Sequence, residues 1–136
     1  LLRKVSNLYP INDNLSAAKI DQFIDIATDI TVLILSTKAE DREEVFIGEL
    51  SRKLTILNNS LELNNNYLVS NNISIADIAI WGLMGWITSE NIDGIPLNIL
   101  KYHKNISSIC LLVDKHPKIN EWINKTYPAN YLRGNF

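Results

Sequence analysis

Residues 67–81 read YLVSNNISIADIAIW, and this stretch decides the fold. A polar turn at Ser70–Asn72 passes directly into an apolar segment that contains one carboxylate, Asp77. A carboxylate in such a position can be catalytic, can bind a ligand or can start a helix. The residues around Asp77 separate these roles.

Residues 74–77, Ser-Ile-Ala-Asp, fit a capping box. Ser74 is the predicted N-cap, whose side chain accepts from the backbone N–H of Asp77, and the Asp77 carboxylate accepts from the N–H of Ser74 in return. Ile73 and Ile78 flank the box at the spacing of a hydrophobic staple. Because all four positions agree, we interpret Asp77 as a structural residue that starts a helix.

The helix that begins there is predicted from Ser74 to Thr88 and is apolar on almost every side. Such a helix lies at the centre of a bundle, with neighbours all round. Gly82 and Gly85 lower its intrinsic helix propensity and favour the close approach of another backbone.

Hydrophobic periodicity predicts further helices before and after the central one, and no segment reads as a strand. Ser16 is the predicted N-cap of the first. The sequence therefore predicts an all-α fold, a helical bundle of about five helices. The other predicted helices are Ser16–Leu35, Ala39–Leu63, Ile106–Lys115 and Lys118–Lys125.

The first helix carries a second apolar line, Ile26, Ile30 and Leu33, beside its core stripe. A helix with two apolar faces usually has two neighbours. We expect this line to contact another domain of the same protein or a protein partner.

Composition narrows the class of protein. The 136 residues are the size of one domain, and a net charge of -2 argues against a broad basic surface for nucleic acid. No apolar run reaches the length of a membrane span. The single cysteine, Cys110, cannot form an internal disulfide and fits a reducing compartment. We therefore expect a cytoplasmic protein without membrane contact and with at most weak nucleic-acid contact.

One set of residues suggests a metal site: His103, Cys110, Asp114 and His116. Their spacing matches no zinc motif. Cys110 falls on an apolar helix face and lacks the basic surroundings that would activate a thiol. We expect no catalytic residue, no metal and no cofactor in this sequence.

Lys101, His103 and Lys104 form a small basic patch. Aromatic residues do not alternate with the basic ones, as base stacking would require. We interpret the patch as a solvated loop, with tRNA phosphate contact as the alternative.

The three tryptophans, Trp81, Trp86 and Trp122, are predicted to pack the core. The alternative for Trp86, and for Tyr9, is a place in a substrate pocket.

One stretch of the chain resembles the most typical motif of the glutathione S-transferase (GST) C-terminal helical domain. It consists of residues 67–69, a polar turn and then Ser74–Ile78. A His116-Pro117 break before a closing helix extends the likeness to nearly the whole chain. The resemblance implies a GST C-terminal-like domain at 13–136, with 1–12 as the end of a preceding thioredoxin-like domain and its linker. In this family, that preceding domain supplies most glutathione contacts.

Three shorter segments resemble a narrower group, the GST-like domains of proteins that act in translation. These segments are residues 8–10 (Leu-Tyr-Pro), 20–27 and 79–82. The domains of that group belong to a scaffold protein of the multisynthetase complex, to glutamyl-prolyl- and methionyl-tRNA synthetases, and to the gamma subunit of elongation factor 1. The likeness implies pairing with other GST-like domains, with a dimer left open. Several relatives carry Arg-Trp-Phe early in the fourth helix, where this chain has Ser108-Ile109-Cys110. If this chain pairs near Ser108, the contacts must therefore differ from those of these relatives. Otherwise it pairs through its first two helices.

Three functions stay open. The favoured one is a non-catalytic interaction module that helps assemble a multi-aminoacyl-tRNA synthetase or translation-factor complex. The second is the C-terminal, substrate-binding half of an active glutathione transferase. The third is an appended synthetase domain that aids tRNA binding.

Overall fold

The structure, a computed structural model, describes residues 7–61, 66–129 and 134–136. The predicted end of a thioredoxin-like domain, at 1–12, lies partly outside the described residues, and so does the predicted end of the second helix at Leu63. Within the described ranges the chain is helical and has no strand. The predicted all-α class is confirmed.

The main helices form five rods, because α2 and α3 are joined end to end by a π-helical turn, Phe46–Leu50. Short 3-10 turns lie at Ala39–Asp41 and Ile99–Tyr102. The helices are α1 Asn14–Ser36, α2 Arg42–Val45, α3 Ser51–Ser60, α4 Ile75–Ile87, α5 Lys104–Lys115 and α6 Pro117–Thr126.

The start of α1 corrects the sequence prediction, because its N-cap is Asp13 and not Ser16. The Asp13 carboxylate accepts from the backbone N–H of Ser16 at 3.1 Å and from its hydroxyl at 2.6 Å. These hydrogen bonds lower the pKa of Asp13. A carboxylate is the stronger acceptor at the positive end of a helix, which explains why it takes the cap.

The second rod was predicted as one regular helix, but its backbone widens into the π-helical turn. Such turns change the register of the helix that follows. Phe46 and Leu50, at the two ends of the turn, are 1% and 0% exposed, and Leu54 and Leu57 of α3 are also buried. All four apolar residues therefore lie on the core side of the rod.

Helix α4 lies at the centre, as its sequence predicts. It packs against α1 on one side and α5 on the other, while α5 also contacts α3 and α6. Because α1 packs mainly on α4 and α3 mainly on α5, a groove remains between α1 and α3. In the described part of the chain, no helix combines the length and apolarity that crossing a membrane requires.

Candidate functional site

The Asp77 carboxylate is completely buried and accepts three hydrogen bonds. Its Oδ2 accepts from the backbone N–H of Ser74 at 2.7 Å and from the Ser74 hydroxyl at 2.6 Å. Its Oδ1 accepts from the N–H of Leu68 at 2.8 Å. Both halves of the capping box are present at the start of α4, and the flanking Ile73 and Ile78 are half-buried.

The surroundings of Asp77 suit a structural group. Burial raises the pKa of its carboxyl above the ordinary value of 3.8, and the hydrogen bonds from Leu68 and Ser74 oppose that rise. Next to it, the N–H of Ile75 donates to the Leu8 carbonyl at 2.9 Å. Asp77 thus ties the turn before α4 to the helix, and its three hydrogen bonds all come from the chain itself.

Of the four predicted interface residues, the structure brings Ile26 and Ile30 to one groove, between α1 and α3, and leaves Leu33 and Ser108 outside its lining. Ile30 is 0% exposed and belongs to the core. Ile26 and Leu33 are half-buried. Ser108 is exposed on α5, where its hydroxyl donates to the Lys104 carbonyl.

Sequence reasoning missed a larger surface, on a different side of α1, which we call the α1–α4 face. It forms a shallow groove of about 410 Å³ between the two helices. Val32, at its edge, is 57% exposed. None of the lining side chains is charged: Ile24, Ala27, Thr28, Thr31, Val32, Ile78, Ala79, Gly82, Leu83 and Trp86.

A weak sequence signal for this face exists in the spacing of Ile24, Thr28 and Val32, each four residues apart. Thr28 interrupts the apolar pattern. In the structure, its hydroxyl donates to the Ile24 carbonyl at 2.9 Å, so its hydrogen-bonding need is met within the helix. Because Thr28 is polar, the hydropathy pattern alone does not identify the α1–α4 face.

A second surface is the groove between α1 and α3, of about 160 Å³, which we call the α1–α3 groove. Ile30 and Leu57, both buried, form its floor. Its walls differ in charge, and Ile56, 55% exposed, adds an apolar edge. The lining residues are Ile26, Asp29, Ile30, Arg52, Lys53, Ile56 and Leu57.

The tryptophans are only partly in the core. Trp81 and Trp86 pack against it, and the Trp81 indole N–H donates to the Asp114 carboxylate at 2.8 Å. Trp122 is 47% exposed and stacks edge-on against Trp81 and Tyr127, so its prediction as a core residue is wrong.

A pocket of about 160 Å³ lies beside these rings, lined in part by Trp81, Trp86, Tyr127 and Phe136. Tyr9, the other residue considered for a substrate pocket, donates its hydroxyl to Asp21 at 2.8 Å.

The predicted basic patch is divided. Lys101 and Lys104 are exposed, with the Lys101 ammonium over the Tyr102 ring at 5.4 Å from its centroid. His103 is buried, and its ring nitrogens meet the Ile99 carbonyl at 3.0 Å and the Thr55 hydroxyl at 3.3 Å. The patch therefore presents two lysines and no histidine.

Cys110 is fully buried, and desolvation raises the pKa of its thiol far above the ordinary value. A protonated buried thiol is a poor nucleophile and a poor metal ligand. Over the described ranges, no three His, Cys, Asp or Glu residues group as a metal site would require.

Comparison with known proteins agrees with this architecture. No curated protein sequence matches the chain significantly. The family model described as "Glutathione S-transferase, C-terminal domain" matches residues 24–126, from within α1 to the end of α6. Because that match covers more than half of the sequence, the chain belongs to the glutathione S-transferase C-terminal domain family.

Proposed function

We propose that this domain is a non-catalytic protein-interaction module that pairs with other GST-like domains in the cytoplasm. The proposed assemblies contain aminoacyl-tRNA synthetases or translation factors. The observation that carries the proposal is the uncharged α1–α4 face, which leaves apolar side chains of a core helix open to a partner.

The chemistry of this face suits a protein partner. Burial of apolar surface is the dominant favourable contribution to most protein–protein association. The lining residues of the face carry no charge, so a partner would desolvate no ionised group there. A groove between two helices also accepts the side-chain ridge of a third helix. A helix of another GST-like domain fits these requirements.

The choice of translation proteins as partners rests on the narrower sequence likeness at 8–10, 20–27 and 79–82. Two of these segments meet in the structure, because Tyr9 donates to Asp21. The Leu8 carbonyl accepts from Ile75 at the start of α4, the helix that contains the third. These contacts support a shared arrangement of the three segments.

An affinity-capture experiment tests the proposal. The chain, a Val32→Glu variant and a Leu111→Glu control would each be immobilised and exposed to cytosol, and bound proteins quantified by mass spectrometry. Both positions are exposed apolar residues, at 57% and 43%, but Leu111 lies on α5 outside the face. We expect synthetases or elongation-factor subunits to be lost with Val32→Glu and retained with Leu111→Glu. Equal capture by both variants would refute the proposed face.

The second candidate, the C-terminal half of a glutathione transferase, is favoured by one observation. Trp86 is half-buried and lines both the α1–α4 face and the small aromatic pocket. A ring so placed can stack against an apolar acceptor substrate. The test measures quenching of tryptophan fluorescence by an electrophilic aromatic acceptor and turnover of that acceptor with glutathione. If quenching occurs, is lost in Trp86→Phe, and turnover is observed, the enzyme role replaces the interaction role.

A further inference from the structure

We propose that a cleft beside the junction of α5 and α6 binds a small anionic molecule, one that carries a phosphate or a carboxylate group. Three parts of the chain line this junction cleft: the segment before α1, the turn before α4 and the start of α6. Its polar lining residues include Tyr67, Asn71, Asn72, His116 and Lys118. None of these residues lines the α1–α4 face, so the proposal does not rest on the proposed function.

The junction cleft has the dimensions of a small-molecule site. Its volume is about 880 Å³, compared with about 410 Å³ for the α1–α4 face. Clefts that hold small ligands and cofactors measure roughly 300–1,000 Å³ and combine apolar walls with a few polar groups. Leu8 and Ile73, both half-buried, form the apolar part of the wall. The polar groups then decide which ligand fits.

The charge of the lining favours an anion. Lys118 is the lining residue that carries a formal charge at neutral pH, and no Asp or Glu lines the cleft. Lys118 is exposed, and the ion pair that forms among the described residues joins two other side chains of α6, Lys125 and Glu121. The Lys118 ammonium can therefore form a charge-assisted hydrogen bond with a phosphate or a carboxylate of a ligand.

The start of α6 adds backbone donors to the cleft. Pro117 is the first residue of this ten-residue helix, and no described side chain caps it. The first N–H groups of an α-helix have no acceptor within the helix, which here concerns the N–H groups of Lys118 and Ile119. Such groups, aligned with the positive end of the helix dipole, bind phosphates and carboxylates.

His116 gives an independent indication of a ligand. Its ring nitrogen Nδ1 is buried, and no described residue forms a hydrogen bond with it. Buried side-chain nitrogens normally have a partner in the protein or in bound solvent. His116 is both the N-cap residue of α6 and a lining residue of the junction cleft. A molecule bound in the cleft, or a water that it holds in place, can supply the absent partner.

Neutral donors complete the lining. Burial, and then the negative charge of Asp77, raise the pKa of Tyr67 above its ordinary value of 10.0, so its phenol keeps a proton to donate. The Oδ1 atom of Asn71 accepts from the backbone N–H of Asn66 at 3.4 Å, which leaves the Asn71 amide nitrogen as the donor. One positive charge and several neutral donors are the groups that the oxygens of a phosphate or a carboxylate require.

Proton–nitrogen correlation NMR of the 136-residue chain, at constant ionic strength, tests the proposal. The chain would be titrated with inorganic phosphate and, separately, with acetate. We expect the backbone amides of Asn72, Lys118 and Ile119 to shift and saturate in the millimolar range with at least one of the two ions. The ion that binds more tightly then identifies the ligand group as phosphate or carboxylate.

Two variants locate the binding. Lys118→Gln should raise the dissociation constant of the tighter ion about tenfold or more, because a charge-assisted hydrogen bond is lost. Lys125→Gln, the same change at the other end of α6 and outside the cleft, should leave that constant unchanged. The same spectra show whether each variant is folded, so weaker binding by an unfolded chain is recognised.

Two results would overturn the proposal: shifts that do not saturate with either ion, or equal affinity of the two variants. Neither result bears on the α1–α4 face, so the proposed function would stand or fall by its own test.

Discussion

The buried capping box gives the most direct stability prediction, the effect of Asp77→Ala. The change removes an acceptor that is 0% exposed and serves the N–H groups of Leu68 and Ser74. Each buried N–H left without a partner costs about 1–3 kcal/mol. Loss of a desolvated carboxylate returns part of that energy, since burial already disfavours its ionised form. The expected net loss of unfolding free energy is about 3 kcal/mol.

Urea and thermal unfolding at neutral pH, followed by far-UV circular dichroism, measure this loss. For a domain of this size about 3 kcal/mol corresponds to a fall in Tm of roughly 10 °C. Asp13→Ala is the matched control, because Asp13 also caps a helix but is fully exposed. We expect a clearly smaller loss there. If Asp77→Ala destabilises the chain no more than Asp13→Ala does, the reasoning about burial and unsatisfied donors is refuted.

Three further predictions concern buried groups and the C-terminal segment. Burial raises the pKa of Asp77 in the folded chain, so above the ordinary value of 3.8 the folded state keeps a proton that the unfolded state loses. The stability advantage of wild type over Asp77→Asn should therefore shrink as pH rises above 3.8, and an increase would contradict this. Buried Cys110 should react with iodoacetamide only in denaturant, and stoichiometric labelling of the native chain would show the burial to be wrong. A Cβ on Gly134 would lie 2.7 Å from the Thr88 hydroxyl, so Gly134→Ala should break the hydrogen bond from the Asn135 N–H to that hydroxyl. Hydrogen exchange of the Asn135 amide should then become about tenfold or more faster. Unchanged exchange would count against the packing of residues 134–136 on Thr88.

The fold could be read from sequence because its strongest signals are local. The capping box at Ser74 and the apolar run after it specify a central helix without reference to the rest of the chain. The start of α1 was misplaced by a few residues, since Asp13 and Ser16 both suit an N-cap and only their mutual geometry decides between them. The π-helical turn leaves the apolar stripe intact, so periodicity did not detect it.

The surfaces were harder to predict because they depend on how each helix is rotated in the bundle. Ile30 and Val32 are two residues apart on α1, yet one is fully buried and the other is 57% exposed. Hydropathy suggested Ile30 as a contact residue, whereas packing against α4 selects Val32 instead. Asp29 and Arg52 are far apart in the sequence, and only the packing of α1 and α3 makes both line one groove.

The central claim, that the α1–α4 face binds another GST-like domain, is tested most directly by a binding titration. The immobilised chain would be titrated with the purified GST-like domain of methionyl-tRNA synthetase, using surface plasmon resonance. We predict saturable binding for wild type and Leu111→Glu, and about tenfold or more weaker binding for Val32→Glu, because burying an ionised carboxylate in an apolar contact is costly. Absence of binding to this and the other translation-associated GST-like domains, or equal affinity of Val32→Glu and wild type, would contradict the account.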